Sequence, residues 1–364
     1  MAKVPAPLNA TVDAIYRWRE QTTPGGHREH LGASIIGYPC DRNLWLTFRW
    51  AETEKFEGRV LRLFDTGKRE ESRIYEELRG IGCDVFADDG GTQYRVSACG
   101  GHFGGSMDGV VSKLPEAPKT PHVLEAKTHG AKSFADLQKK GVEKAKPMHF
   151  TQMQTYMGLA GLDRALYFAV NKDTDEIYTE RIELDKDAFA KIMERATRII
   201  KATEPPLRLS DDPAYFECKW CKFHPQCHGE KAPEVNCRTC AHSTPLTDGD
   251  AGAWGCEKFG CGLPVENQRA GCSDHRFIPI LLERLGKLEG MDGDLAIYTR
   301  ADGKQFANGD PPDGFTSDEI RAVNGASMLV DRQVRELRDE FSGARIVETN
   351  VATAFDDLKD DIPW

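Results

Sequence analysis

The stretch GGSMDGVVSKLPEAPKTPHVLEAK, residues 104–127, decides how the chain is read. Asp108 follows Gly-Gly-Ser-Met and precedes Gly109. Glu125 comes after sixteen intervening residues, and Lys127 follows it with one residue between. Met-Asp-Gly-Val-Val and His-Val-Leu-Glu-Ala-Lys are apolar and β-prone, and Pro115, Pro118 and Pro121 interrupt the chain between them. The pattern predicts a β-hairpin with a long loop. Alternate residues of a strand share a face, so Glu125 and Lys127 point the same way. Two carboxylates and an ammonium converging there would form a hard-cation site with a lysine placed to activate water.

Outward from this stretch, the 364 residues are enough for two or three domains. Hydrophobic residues make up 40 %, and no apolar run approaches membrane-spanning length. The start, MAKVPAP, has no apolar signal core, which points to a cytoplasmic chain. Eleven cysteines then read as metal ligands rather than disulfides. The net charge of −10 argues at first against nucleic acid, but it is unevenly spread. Residues 1–230 carry 33 Lys+Arg against 34 Asp+Glu, whereas residues 231–364 carry 15 against 24. Within the first part lies a basic run, Lys127, Lys132, Lys139, Lys140, Lys144 and Lys146, which is either a nucleic-acid surface or a solvated helix face.

Before the stretch, a polar lead over residues 1–30 holds a short amphipathic helix near Val12–Glu20. A helix over 65–80 carries Ile74, Leu78 and Ile81 on one stripe, with Glu71 nearer its centre than Glu70. A carboxylate on a buried face calls for a partner or a metal. Strands are predicted at 84–87, 94–98, 165–170 and 176–184, and helices at 133–140, 148–159 and 186–203. This alternation implies an α/β core, a mixed sheet flanked by helices.

Together these residues resemble the PD-(D/E)xK nuclease superfamily. Asp108 and Glu125-Ala-Lys127 match its metal-binding strands. Phe64-Asp-Thr-Gly67-Lys-Arg-Glu-Glu71 resembles the helical first motif of its RecB-like and CRISPR-adaptation branch, with Lys68 where some members have a histidine. Gln152-Met-Gln-Thr-Tyr156 resembles the Q-x-x-x-Y motif of the same branch, and its two ends share a helix face. The resemblance implies a restriction-endonuclease-like fold and a metal-dependent deoxyribonuclease. It points to an exonuclease acting on single-stranded or duplex DNA ends in recombination, repair or replication, encoded by a phage or prophage. Catalytic roles then fall to Glu71, Asp108, Glu125, Lys127, Gln152 and Tyr156. Mg²⁺ or Mn²⁺ would sit on Asp108, Glu125 and the Ala126 carbonyl. The alternative is a DNA-binding adaptor that cleaves nothing. His102 and His149 read as hydrogen-bonded structural residues, although His149 lies close enough to the Gln152 helix to touch DNA.

The cysteines fall into two sets. Cys218, Cys221 and Cys227, with Cys40 far upstream, resemble the [4Fe–4S] ligands of the iron–sulfur members of the branch, closing a loop of 177 intervening residues. A zinc site using His224 or His228 is the other reading of this set. Cys237, Cys240, Cys256 and Cys272 are spaced as a zinc knuckle or ribbon, with His275 the replacement for Cys272. The organisation expected is a lead (1–30), a nuclease core with an iron–sulfur clasp (31–232), a cysteine-rich zinc-binding module (233–279), a small C-terminal module (280–346) and an acidic tail (347–364). The tail's end, Asp360-Asp-Ile-Pro-Trp364, resembles the tip of bacterial single-stranded-DNA-binding proteins and would recruit a replication or repair protein.

Overall fold

The computed structural model describes residues 9–23, 25–89, 91–323, 325–341 and 344–348. The residues proposed as the tip of the tail lie outside these. The chain divides into two compact units, one of residues 1–48, 53–202 and 245–253, the other of residues 49–52, 203–244 and 254–364.

The first unit is mixed α/β. Its helices are α1 (Ala10–Thr22), α2 (Asp41–Phe48), α3 (Gly58–Gly80), α4 (Ala131–Ala145), α5 (Pro147–Ala160) and α6 (Lys186–Lys201). Its strands are β1 (Leu31–Gly32), β2 (Asp84–Phe86), β3 (Asp88–Asp89), β4 (Thr92–Gln93), β5 (Arg95–Ala98), β6 (Phe103–Ser106), β7 (Gly109–Ser112), β8 (His122–His129), β9 (Arg164–Asn171) and β10 (Ile177–Glu183). The main sheet has the order β10-β9-β8-β7-β2, with β8 and β9 parallel and the other neighbours antiparallel. A smaller sheet runs β1-β6-β5.

The quoted stretch therefore feeds two sheets. β7 and β8 form the expected antiparallel pair, Gly109 opposite Leu124. β6, just before Asp108, instead pairs with β1 and β5. Two glycines permit that departure. Gly104 takes a φ of 155°, and a Cβ there would meet the Val96 carbonyl at 2.0 Å. A Cβ on Gly105 would lie 2.8 Å from the Tyr156 hydroxyl.

β8 is covered on both faces, which explains its near-continuous apolar run. Leu124 and Ala126 pack with Ile74 and Leu78 of α3. Val123 packs with Phe134 and Leu137 of α4 and with Met153 and Met157 of α5. Local chemistry sets the helix ends. Asp185 caps α6 by accepting from the Asp187 and Ala188 amides at 2.9 Å. α5 begins on Pro147 and ends at a left-handed Gly161. α4 runs past its predicted end but breaks at Gly141, φ 73°.

The second unit holds α7 (Phe216–Lys219), α8 (His224–Cys227), α9 (Val265–Ala270), α10 (Ser317–Ala322) and α11 (Arg332–Glu340). Two three-stranded sheets accompany them: β11 (Ser243–Pro245), β12 (Trp254–Cys256) and β13 (Cys261–Gly262), then β14 (Lys287–Asp292), β15 (Leu295–Thr299) and β16 (Gln305–Asn308). A buried arginine organises the cysteine-rich part. Arg238 lies 3.6 Å from the Trp50 ring centroid and 4.6 Å from that of Trp254, and its Nε donates to Gln268 at 2.8 Å. Leu282, Tyr298, Phe306, Phe315, Ile320 and Leu329 share one buried cluster with Ala232 and Phe277. Among the described residues no helix is long and apolar enough to cross a membrane.

Candidate active site

Asp108 sits at the junction of β6 and β7. Its Oδ2 accepts the Ala126 amide at 2.9 Å and lies 3.6 Å from Lys127 Nζ. Glu125 is fully buried, with Oε1 2.5 Å from the same Nζ. Lys127 also donates to the Ala126 carbonyl at 3.1 Å. The lysine thus stands among three oxygens, two from β8 and one from the β6–β7 junction. Glu71, on α3, lines a cleft of 330 Å³ with Leu63, Phe64, Lys68, Ala126 and Lys127.

The electrostatics are those of crowded anions. Burial raises Glu71, the Asp108 charge adds to it, and Lys127 and Lys68 oppose. Burial raises Glu125 to about 7, with Lys127 opposing and Asp108 and Glu71 adding. Burial by itself would lower Lys127, but the Glu125 and Asp108 charges outweigh it and hold the ammonium protonated.

Gln152 and Tyr156 come to the same place from α5. Both are buried. Gln152 Nε2 lies 3.4 Å from the Tyr156 hydroxyl, which donates to the Ser106 carbonyl at 2.8 Å. Tyr156 thus contacts the backbone two residues before Asp108, and Gln152 contacts Tyr156. His102 is buried, bonded to the Leu246 carbonyl at 3.0 Å and edge-on to Phe48.

Three site residues escaped the sequence reading. Tyr75, one turn beyond Glu71 on α3, donates to the Asp108 carbonyl at 2.6 Å. The i, i+4 spacing from Glu71 was the available signal. His129 continues the alternate face of Glu125 and Lys127. Tyr167 on β9 faces Glu125 in the parallel register, and only the strand order brings it there.

Do these residues fit a divalent cation? Glu125 supplies a buried carboxylate whose Oε2 has no hydrogen-bond partner among the described residues, and the donor set is all oxygen. That chemistry suits Mg²⁺ or Mn²⁺. Among the described residues, however, no group of three or more His, Cys, Asp or Glu is arranged to hold a metal ion, and Lys127 Nζ stands between the two strand carboxylates.

The same finding bears on the cysteine sets. Cys237, Cys240, Cys256 and Cys272 line one cavity of 220 Å³, with Cys261 and His275. They share a cavity but do not form the tetrahedral set that the spacing predicts. Cys237 is pushed up to about 12, by burial first and then by its four cysteine neighbours, and its Sγ approaches the Asn267 carbonyl at 3.4 Å, as a protonated thiol does. Of the proposed iron–sulfur ligands, Cys40 belongs to the first unit and Cys218, Cys221 and Cys227 to the second. Cys40 Sγ accepts the Asn43 amide and Cys221 Sγ the Phe223 amide, each at 3.4 Å.

No family model and no curated protein sequence matches the chain. Among solved structures, it is similar to an alkaline exonuclease from Laribacter hongkongensis, at 18 % identity over 51 % of this chain and 89 % of that one, TM-score 0.33. It is also similar to a protein designated SSO0001, at 16 % over 60 % and 96 %, TM-score 0.37. A third is a phage-related exonuclease from Haemophilus somnus 129PT, at 20 % over 37 % and 68 %, TM-score 0.27. Likenesses of this depth leave function to the site itself.

Proposed function

We propose that the chain is a metal-dependent DNA nuclease that shortens DNA from its ends in recombination, repair or replication. One observation carries the reading. Glu71, Asp108, Glu125 and Lys127 come from a helix, a strand junction and a strand: Asp108 and Glu125 both lie against the Lys127 ammonium, and Lys127 lines one cleft with Glu71. A structural ion pair would need only Lys127 and one carboxylate. The additional carboxylates, with Glu125 raised to about 7, leave anionic capacity that a cation would satisfy.

Glu71, Asp108, Glu125 and the Ala126 carbonyl are the groups that would hold Mg²⁺ or Mn²⁺. When bound, the ion neutralises the substrate phosphate and acidifies water. The Lys127 ammonium would stabilise the negative charge that builds on the non-bridging phosphoryl oxygens as water adds; its raised pKa favours this over proton abstraction. Tyr75 and Tyr156 grip the carbonyls of Asp108 and Ser106 and so fix the Asp108 carboxylate. The exonuclease form rests on the sequence resemblance. For the cysteines, the resemblance to the iron–sulfur members of the branch is what supports a structural [4Fe–4S] cluster on Cys40, Cys218, Cys221 and Cys227. Spacing and a shared cavity support zinc on Cys237, Cys240, Cys256 and Cys272. A cytoplasmic setting and a protein partner at the tail complete the proposal.

The test is incubation of anaerobically purified protein with end-labelled single- and double-stranded DNA and Mn²⁺. Mononucleotide release by wild type and its loss in Asp108→Ala support the reading. No cleavage by wild type favours the adaptor, and equal cleavage by Asp108→Ala overturns the site.

A further inference from the structure

A chain of partly buried hydrogen bonds runs beside this centre, and the metal chemistry makes no use of it. Lys146 Nζ donates to Ser133 Oγ at 2.7 Å. Ser133 Oγ lies 3.2 Å from His129 Nδ1. His129 Nε2 and His149 Nδ1 each lie 2.8 Å from the Tyr167 hydroxyl. The outer end opens on a hollow of 680 Å³ lined by Lys132, Ser133, Asp136, Lys139 and Lys146. The inner end stands next to the site. Tyr167 faces Glu125 across the parallel strands, and Lys127 is the charge that acts most strongly on His149.

One assignment of protons runs unbroken through the whole chain. An ammonium can only donate, so Ser133 accepts from Lys146, and in this assignment it turns its own proton to His129 Nδ1. His129 then carries its proton on Nε2 and donates to the Tyr167 oxygen. Tyr167 has one proton left to give, and it goes to His149 Nδ1. His149 is thereby left with its proton on Nε2. Both imidazoles are neutral: burial first, then the neighbouring lysines, lowers His129 to about 4 and His149 to about 3. On α5, His149 precedes Gln152 by one turn and Tyr156 by two, on the same face.

We propose that Lys146, Ser133, His129 and Tyr167 form a tautomer-setting relay that presents His149 Nε2–H as a neutral hydrogen-bond donor to a backbone phosphate of DNA beside Lys127. His149 is the group that touches the phosphate; the other four are positioning residues. The donor adds grip and register without adding positive charge to a centre that must also admit a cation. The inference rests on the nuclease reading for its substrate, yet it is read by binding and not by cleavage.

Two measurements test it. Histidine ¹⁵N spectra at pH 7 should show His129 and His149 each protonated on Nε2, and Ser133→Ala or Tyr167→Phe should release that preference. Either ring protonated on Nδ1 in wild type overturns the relay. Fluorescence anisotropy with a labelled single-stranded oligonucleotide, without divalent metal, should show affinity falling about tenfold or more in His149→Leu, the loss of one hydrogen bond to a charged group. His149→Gln, which restores an N–H, should recover most of it. The salt dependence should keep the wild-type slope, because no charge is lost. Unchanged affinity in His149→Leu, or a shallower salt slope, overturns the donor role. If wild type binds as expected but cleaves nothing with Mn²⁺, the nuclease reading fails while the relay stands.

Discussion

Acidification should destabilise the first unit through His129, and the size of the effect follows from its surroundings. The ring is 8 % exposed, bonded to Ser133 and Tyr167, and faces the charges of Lys146, Lys127 and Lys172. Burial first, and those lysines second, lower its pKa from the unfolded 6.5 to about 4. A depressed histidine pKa means the unfolded chain binds the proton first. Stability is therefore full above pH 6.5 and is lost as pH falls toward 4. Between pH 7 and pH 5 that linkage comes to about 1–2 kcal/mol once partial solvation is allowed for. His129→Gln keeps a polar side chain and does not titrate. Urea titrations of both proteins at pH 7 and pH 5, followed by the NMR amide signals of β8 and β9, measure the difference. Wild type should lose about 0.5–1 M more in midpoint than the variant, for a slope of about 2 kcal/mol/M. Comparing the two removes the contributions of His122 and His275, whose pKa values are also lowered by burial. Parallel losses in the two proteins would refute the reasoning, because the ring would then be as free to protonate when folded as when unfolded.

Other consequences are open to direct measurement. Asp108→Ala should lower the Mn²⁺-dependent cleavage rate by about 10²–10³ or more, since it removes an anchor and leaves Lys127 closing on Glu125 alone. Tyr75→Phe should cost about 1 kcal/mol of stability by removing the 2.6 Å bond to the Asp108 carbonyl, and kcat should fall while DNA affinity holds. Arg238→Met should destabilise the second unit by about 2–3 kcal/mol, through loss of the Trp50 and Trp254 ring contacts and the Gln268 bond; tryptophan fluorescence in urea reads it directly. Elemental analysis of anaerobically purified protein should find iron and zinc, and absorbance near ~400 nm should disappear in Cys218→Ser; protein carrying neither metal would end the structural-cofactor proposal.

What the sequence by itself determined was mostly local. Alternation fixed Glu125 and Lys127 on one face of β8, and the apolar stripe of α3 marked Glu71 as the carboxylate turned inward. Helical spacing set Gln152 beneath Tyr156, because repeats of two and 3.6 residues survive without knowledge of neighbours. Tertiary structure decided what those residues meet. β6 leaves for a second sheet, which the predicted hairpin does not announce: Gly104 lies against Val96 of the neighbouring β5, and Gly105 against Tyr156 of the distant α5. Tyr167 reaches Glu125 only because β9 lies parallel to β8, a pairing set by burial on both faces rather than by either strand's own residues. The cysteine spacings named which thiols could gather. Whether they gather depends on distances across the fold, and among the described residues the four zinc candidates line one cavity without closing on a metal-holding set. Ligand spacing along a chain constrains loop lengths. The approach of donor atoms is decided by packing, and by the ion that would draw them together.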